Sequence, residues 1–148
     1  MVIMILWSCS PCDLEIFRVL FPHLAAVTVE RVFVSGRPLR LQASTGGPRA
    51  PCPGCGQLPG RVHSRYQRRL SDSAVAGQET MICLRVRRFF CRDDRCASKT
   101  FAGQVPGLTV RYGRRSSGLA GALRAVALAL GGRAGARLAG RLAAGVSR

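Results

Sequence analysis

Four of the seven cysteines stand at spacings suited to holding a metal. Cys52 and Cys55 bracket Pro53-Gly54, and Cys91 and Cys96 are separated by four residues. A structural zinc ion takes four soft or nitrogen ligands in a tetrahedron. A Cys-x2-Cys pair on a tight Gly/Pro turn offers two thiolates at the correct bite. The 35 residues between the pairs, 56–90, suffice for two strands that bring them together. One structural zinc on Cys52, Cys55, Cys91 and Cys96 is therefore expected, against the alternative of four reduced, unliganded thiols. Four protein ligands leave no open position for water, so the ion would supply folding energy, typically about 10–16 kcal/mol, and not catalysis. Residues 50 to 100 are accordingly expected to unfold without metal. A redox role for Cys52 and Cys55 is disfavoured because no βαβ pattern surrounds them.

The other cysteines read differently. Cys83 lies mid-strand and reads as a small buried hydrophobe. Cys9 and Cys12 have knuckle spacing but no second pair to match, so a second metal site there is the lesser reading. An odd cysteine count without a secretion signal argues against a disulfide framework. His63, near the first knuckle, reads as structural or DNA-facing, and His23 as an ordinary turn residue.

Lysine and arginine number 23 against 7 acidic residues, a formal charge of +16. Lys99 is the only lysine, and nothing after Asp94 is acidic. A GC-rich genome inflates arginine, but it does not remove acids. A tail of one sign favours a polyanion, and arginine suits forked contacts to phosphate and guanine. Nucleic acid is the expected partner, ahead of an acidic membrane surface. Arg65, Arg68 and Arg69 on one strand, with Arg85, Arg87 and Arg88 on the next, are expected to form a basic face that tracks phosphates. Arg111, Arg114 and Arg115 lead into the first C-terminal helix, where they would meet the backbone. The bland alternative is solvated strand positions. The longest apolar run, Met1 to Trp7, is far shorter than the roughly 20 residues a bilayer span needs. No membrane partner is expected, and the default location is the cytoplasm, at the nucleoid.

These residues need elements to position them. Leu14 to Leu24 reads as a short helix or turn broken at Pro22. Val27–Val34 and Leu39–Gln42, joined by Ser35-Gly36, read as a β-hairpin. Val62–Leu70 and Thr80–Phe90 read as strands, with Asp72 to Gly77 as the turn between them. Ser116 or Ser117 can cap a helix carrying Leu119, Leu123, Val126 and Leu130, and Gly131-Gly132 can end it. A second helix, Arg133 to about Ala143, has Ala134, Leu138 and Leu142 on one side, and Ser147 could cap a third. The expected class is α+β: a small β-hairpin and zinc ribbon, then two helices of an incomplete helix-turn-helix. The expected division is a lead over 1–23, hairpin 24–48, zinc ribbon 49–106 and helices 107–148. The terminal helices, short of a packing partner, are expected to be poorly anchored.

From about Leu20 onward the chain resembles bacterial insertion-sequence transposases that carry a zinc-finger region, a helix-turn-helix and a large DDE catalytic core. The resemblance rests on Leu20-Phe21-Pro22-His23-Leu24, Cys52-Pro53-Gly54-Cys55-Gly56 and Val62-His63-Ser64-Arg65-Tyr66-Gln67-Arg68-Arg69-Leu70. Val86-Arg87-Arg88-Phe89-Phe90-Cys91 and Thr100-Phe101-Ala102 extend it. It implies that the four cysteines are zinc ligands and that the helices after Arg114 open a helix-turn-helix. It further implies that the region recognises terminal inverted repeats, with duplex DNA at transposon ends and the full-length transposase as partners and no small-molecule substrate.

Residues 1 to about 19 depart from the pattern, and the chain stops before a recognition helix and a catalytic core. DDE chemistry needs three carboxylates on divalent metal. The seven acids (Asp13, Glu15, Glu30, Asp72, Glu79, Asp93 and Asp94) form no such pattern, so a truncated transposase that does not cut or join DNA is expected. Its binding should be salt-sensitive and weakly selective. The competing readings are a zinc-ribbon module for protein or RNA, and a relic without function. The former would need exposed aromatics, for which Tyr66, Phe89, Phe90 and Phe101 are the candidates.

Overall fold

The computed structural model describes residues 11–46 and 49–144, with the side chains of 11–15 excepted. Helix α1 (Pro11–Leu20) and a single 3₁₀ turn (Pro22–Leu24) lead into strand β1 (Thr28–Val34). Strands β2 (Leu39–Ser44), β3 (Val62–Val75), β4 (Gln78–Phe90) and β5 (Thr100–Ala102) follow, and then helix α2 (Ser117–Arg141). The architecture is mixed α+β around one five-stranded sheet.

β4 organises the sheet. It pairs antiparallel with β3 on one side. On the other side it pairs parallel with β2 over Thr80–Arg85 and antiparallel with β5 over Arg88–Phe90. The strand order is β1-β2-β4-β3, with β5 continuing the edge that β2 leaves. The hairpin expected at Val27–Gln42 is β1–β2, and it belongs to this same sheet.

The β3–β4 turn lies later than Asp72. Ala76 and Gly77 both have positive φ, 50° and 74°, the pair that a type I′ turn requires and that matches the twist of its flanking strands. β3 therefore runs on to Val75, and Asp72 lies within the strand, buried, where a turn had been expected. The physical reason is that Asp72 finds hydrogen-bond partners inside the fold.

Alternation places Leu70, Ile82, Leu84 and Val86 on one face beside Leu41 and Ala43 of β2, all buried. Leu24, Val105 and Leu108 close over them, with Phe17, Phe21 and Val27 packed at the rim. Each fully buried aliphatic side chain here contributes about 1.5–3 kcal/mol. A second cluster, Cys52, Phe89, Cys96 and Phe101, sits at the far end of β4.

Ser116 caps α2, its hydroxyl accepting from Leu119 N at 3.1 Å. The helical run is broken at Gly131 (φ 71°, ψ −179°), backbone that only glycine adopts readily. Beyond the break Gly135 packs against Val126 and Ala127. Residues eight and nine apart in a straight helix would be separated by about 12–13.5 Å along its axis, so the second segment folds back on the first. Gly135 and Ala139 form its buried side, whereas Leu138 and Leu142 of the expected stripe are exposed. The run ends in a left-handed cap at Ala143 (φ 52°), with Ala144 N donating to Ala139 O and Ala143 N to Gly140 O. Leu119 is buried, Leu123 and Val126 are half-buried, and Leu128 is 82% exposed. A helix beginning at Ser147 lies outside the described residues. Among the described residues no helix is long and apolar enough to cross a membrane.

Candidate metal centre and nucleic-acid interface

The first knuckle is a closed backbone loop. Gly56 N donates to Cys52 O and Cys52 N to Gln57 O, each at 2.8 Å. Gly56 takes φ +73°, and Gly54 is needed for a different reason: a Cβ there would stand 3.0 Å from Cys96 Sγ. The second knuckle is tied to β5 by Cys91 N donating to Lys99 O. It is tightened by Cys96 N and Arg95 N donating to the carbonyl and side chain of Asp93. Phe89 and Phe101, their rings 5.9 Å apart, pack beneath the sulfurs.

The four Sγ atoms all lie within 4.8 Å of one another, with Cys52–Cys96 at 3.8 Å and Cys55–Cys91 at 3.4 Å. A tetrahedron of thiolates at about 2.3 Å from zinc has edges of about 3.8 Å, so the cluster fits a ZnS₄ site. A disulfide, at about 2.05 Å, would be far shorter. Among the described residues this is the group of His, Cys and acidic side chains placed to hold a metal. Cys9 and the side chain of Cys12 lie outside the described residues.

The thiols are unequal. Burial resists ionisation of Cys52, but backbone N–H groups of Gly54 and Cys55 aimed at its sulfur bring its pKa down to about 7. The Gln57 N–H favours the Cys55 thiolate, yet burial and hydrogen bonding with Cys91 and Cys52 push that thiol up to about 12. Cys96 is raised as well: the Ser98 N–H opposes the shift, and burial with the Cys52 thiol causes it. A zinc ion bound here would displace protons, and the N–H groups already point where thiolate charge would develop.

The sequence suggested that all of residues 50 to 100 depend on metal. In the structure β3 and β4 also feed Leu70, Ile82, Leu84 and Val86 into a core that contains no metal ligand. A metal held by the four cysteines would therefore bear on the knuckle end of the sheet, where Cys52 and Cys96 cluster with Phe89 and Phe101.

Register divides the strand arginines. Arg65 stands opposite Arg87, Gln67 opposite Arg85 and Arg69 opposite Cys83, so these share the face away from the core. Arg68 and Arg88 point to the other face, and a single six-arginine face is not formed. β2 adds Arg40 and Gln42 to the outer face, beside Met81 and Cys83, and β1 adds Arg31 opposite Gln42. Arg31 and Arg40 escaped the sequence reading because their side is set by the parallel β2–β4 register.

The individual environments differ further. Arg65, Arg69, Arg88, Arg111 and Arg114 are exposed, and Arg115 is half-buried beside Ser71. Arg85 pairs with Glu30 at 2.5 Å, and the Glu30 carboxyl is held below its usual range by Ser44 and then Arg85. The half-buried Arg87 lies over the Phe89 ring. Arg68 turns inward, donating to Gln104 Oε1, to Val110 O and to Gly113 O. It clamps the loop ahead of α2.

Two histidines and the aromatics complete the site. His63 is exposed, bonded to Ser64 Oγ and edge-on to Phe90, and is not among the clustered ligands. His23 is more than a turn residue: its Nε2 donates to Asp72 Oδ2 at 2.7 Å. Phe89 and Phe101 are buried at the cysteine cluster, while Phe90 lies under Arg61. Tyr66, 41% exposed, and Tyr112, 84% exposed, are the open rings. Tyr112 was not singled out by sequence, though its Arg-Tyr-Gly-Arg-Arg setting was visible.

No curated protein and no solved structure matches the chain. Residues 48–96, about a third of the chain, match the family model described as the zinc-finger of transposase IS204/IS1001/IS1096/IS1165. The match spans all four cysteines, so the segment that forms the candidate metal centre is similar to the zinc ribbon of this transposase family.

Proposed function

We propose that this chain is a zinc-dependent DNA-binding segment of a transposase, directed to the terminal inverted repeats of its element and acting at the nucleoid in the cytoplasm. Zinc, held by Cys52, Cys55, Cys91 and Cys96, fixes the β4–β5 end of the sheet. The outer sheet face, with Arg31, Arg40, Arg65 and Arg69, tracks phosphates, and Gln42 and Gln67 lie among them. The folded-back helical run after Arg114–Arg115 corresponds to the start of a helix-turn-helix. The observation that carries this reading is the transposase zinc-ribbon match over the clustered cysteines.

The chain contributes binding and not strand transfer. Among the described residues Asp72 is engaged with His23 and Ser116, Glu30 with Arg85, and Asp93 with backbone N–H groups. Full-length transposase is the natural second partner. The test is binding of zinc-loaded protein to duplex carrying the inverted repeat of a neighbouring element, against scrambled duplex, over a salt series. Tighter binding to the repeat supports end recognition. Equal, salt-limited binding reduces the function to a basic phosphate contact, and no binding at low salt refutes the proposal.

A further inference from the structure

A cleft of about 470 Å³ opens between the first knuckle, the edge strand β3 and the loop ahead of α2. Pro51 and Pro53 form one wall, and Tyr66, Arg88, Tyr112 and Arg114 face it from the others. No acidic residue lines it.

Tyr112 is its most unusual member. It is 84% exposed and sits at φ +61°, backbone that a bulky side chain rarely adopts. The protein holds it there deliberately: Arg68 reaches the carbonyls of Val110 and Gly113, on both sides of Tyr112. Arg111 places its guanidinium 4.9 Å from the ring centroid. Strained backbone that is pinned by its surroundings, and that presents a ring to water, is a signature of a binding position. An aromatic ring with flanking arginines is the platform on which unpaired bases stack, because every base offers a π-face. A base inside a duplex has both faces covered, so the platform suits an unpaired one.

We propose that this cleft receives unpaired nucleotides at a DNA end, with a base stacked on Tyr112, Tyr66 alongside, and phosphates held by Arg88 and Arg114. The inference rests on the DNA-binding reading above and adds the form of DNA bound.

The test uses the zinc-loaded full chain with a blunt duplex and with the same duplex bearing a short single-stranded overhang containing 2-aminopurine. Expected is overhang binding about tenfold tighter than blunt, the scale of one stacked base, with quenched 2-aminopurine fluorescence. Tyr112→Ala should erase the preference and leave blunt affinity unchanged, while Tyr112→Trp should retain it. Tyr112→Gly removes the ring and relieves the positive φ, so its loss of preference at undiminished thermal stability excludes unfolding as the cause. Equal affinity of the wild-type chain for blunt and overhang DNA would overturn the cleft assignment and leave the DNA-binding reading standing. Failure to bind either DNA at low salt would overturn both.

Discussion

Ser116 Oγ donates to Asp72 Oδ1 at 2.5 Å while accepting from Leu119 N. One hydroxyl thus caps α2 and fastens it to β3. The other carboxylate oxygen takes His23, from the 3₁₀ turn. Serine, histidine and aspartate meet here without forming a nucleophilic triad, because the carboxylate stands between the other two. Asp72→Ala leaves the buried Ser116 hydroxyl and the half-buried His23 without their charged acceptor and should destabilise the fold by about 2–3 kcal/mol, read from denaturant midpoints. A cost below about 0.5 kcal/mol, the scale of an ordinary surface change, would remove the hub from the account.

Gly54 is constrained by the cysteine cluster. A methyl group there would press on Cys96 Sγ, whereas one at Gly56 meets no atom within 4 Å and only strains φ. Gly54→Ala should weaken zinc binding about tenfold or more in chelator competition, since a shift of a few tenths of an ångström distorts a tetrahedral site. Gly56→Ala should cost about 1–2 kcal/mol of loop stability and spare the metal geometry, visible as an unaltered cobalt spectrum. Equal effects on the metal would contradict this assignment.

The outer-face arginines carry a salt-dependence prediction. Arg65→Gln with Arg69→Gln should reduce the slope of log affinity against log salt by about 2, close to one per phosphate contact. Arg68→Gln should act otherwise, loosening the 110–113 loop and lowering thermal stability. If all three changes only reduce the slope, Arg68 is not a clamp.

Gly131 determines the shape of α2. Alanine cannot adopt φ 71° with ψ −179° without strain, so Gly131→Ala should straighten the run and separate Gly135 from Val126. Spin labels at Ala120 and Gly140 would report a longer distance in the variant. An unchanged distance would mean that packing, and not the glycine, sets the bend.

Much of this was legible locally. Alternation in Thr80–Phe90 and Val27–Val34 announced β4 and β1, and the cysteine spacing announced the cluster. Ser116 and Gly131 marked the start and break of α2. What stayed hidden was non-local. The parallel β2–β4 pairing, which brings Arg40 to the outer face, leaves no mark within either strand. Asp72 looked like a turn residue because its partners His23 and Ser116 lie 49 and 44 positions away. β5, three residues long, is too short for periodicity and exists because Cys91 and Lys99 hold it against β4.

The sulfur pKa values give the metal site a pH signature. Zinc binds thiolates, and Cys55, near 12, and Cys96, also raised, keep their protons at neutral pH, whereas Cys52 titrates near 7. Affinity should therefore rise with pH and binding should release protons, measurable as a buffer-dependent heat in calorimetry. A pH-independent affinity between about 6 and 8 would contradict thiolate ligation.

The most direct test is native mass spectrometry with amide hydrogen exchange, before and after chelation. One zinc per chain is expected, with Cys52, Cys55, Cys91 and Cys96 protected from alkylation. Chelation should strip exchange protection from residues 52–57 and 91–101 while 41–43 and 82–86 stay protected by their own core. A chain that takes up no zinc, or one whose knuckles stay equally protected without it, would contradict the claim that this metal builds the module.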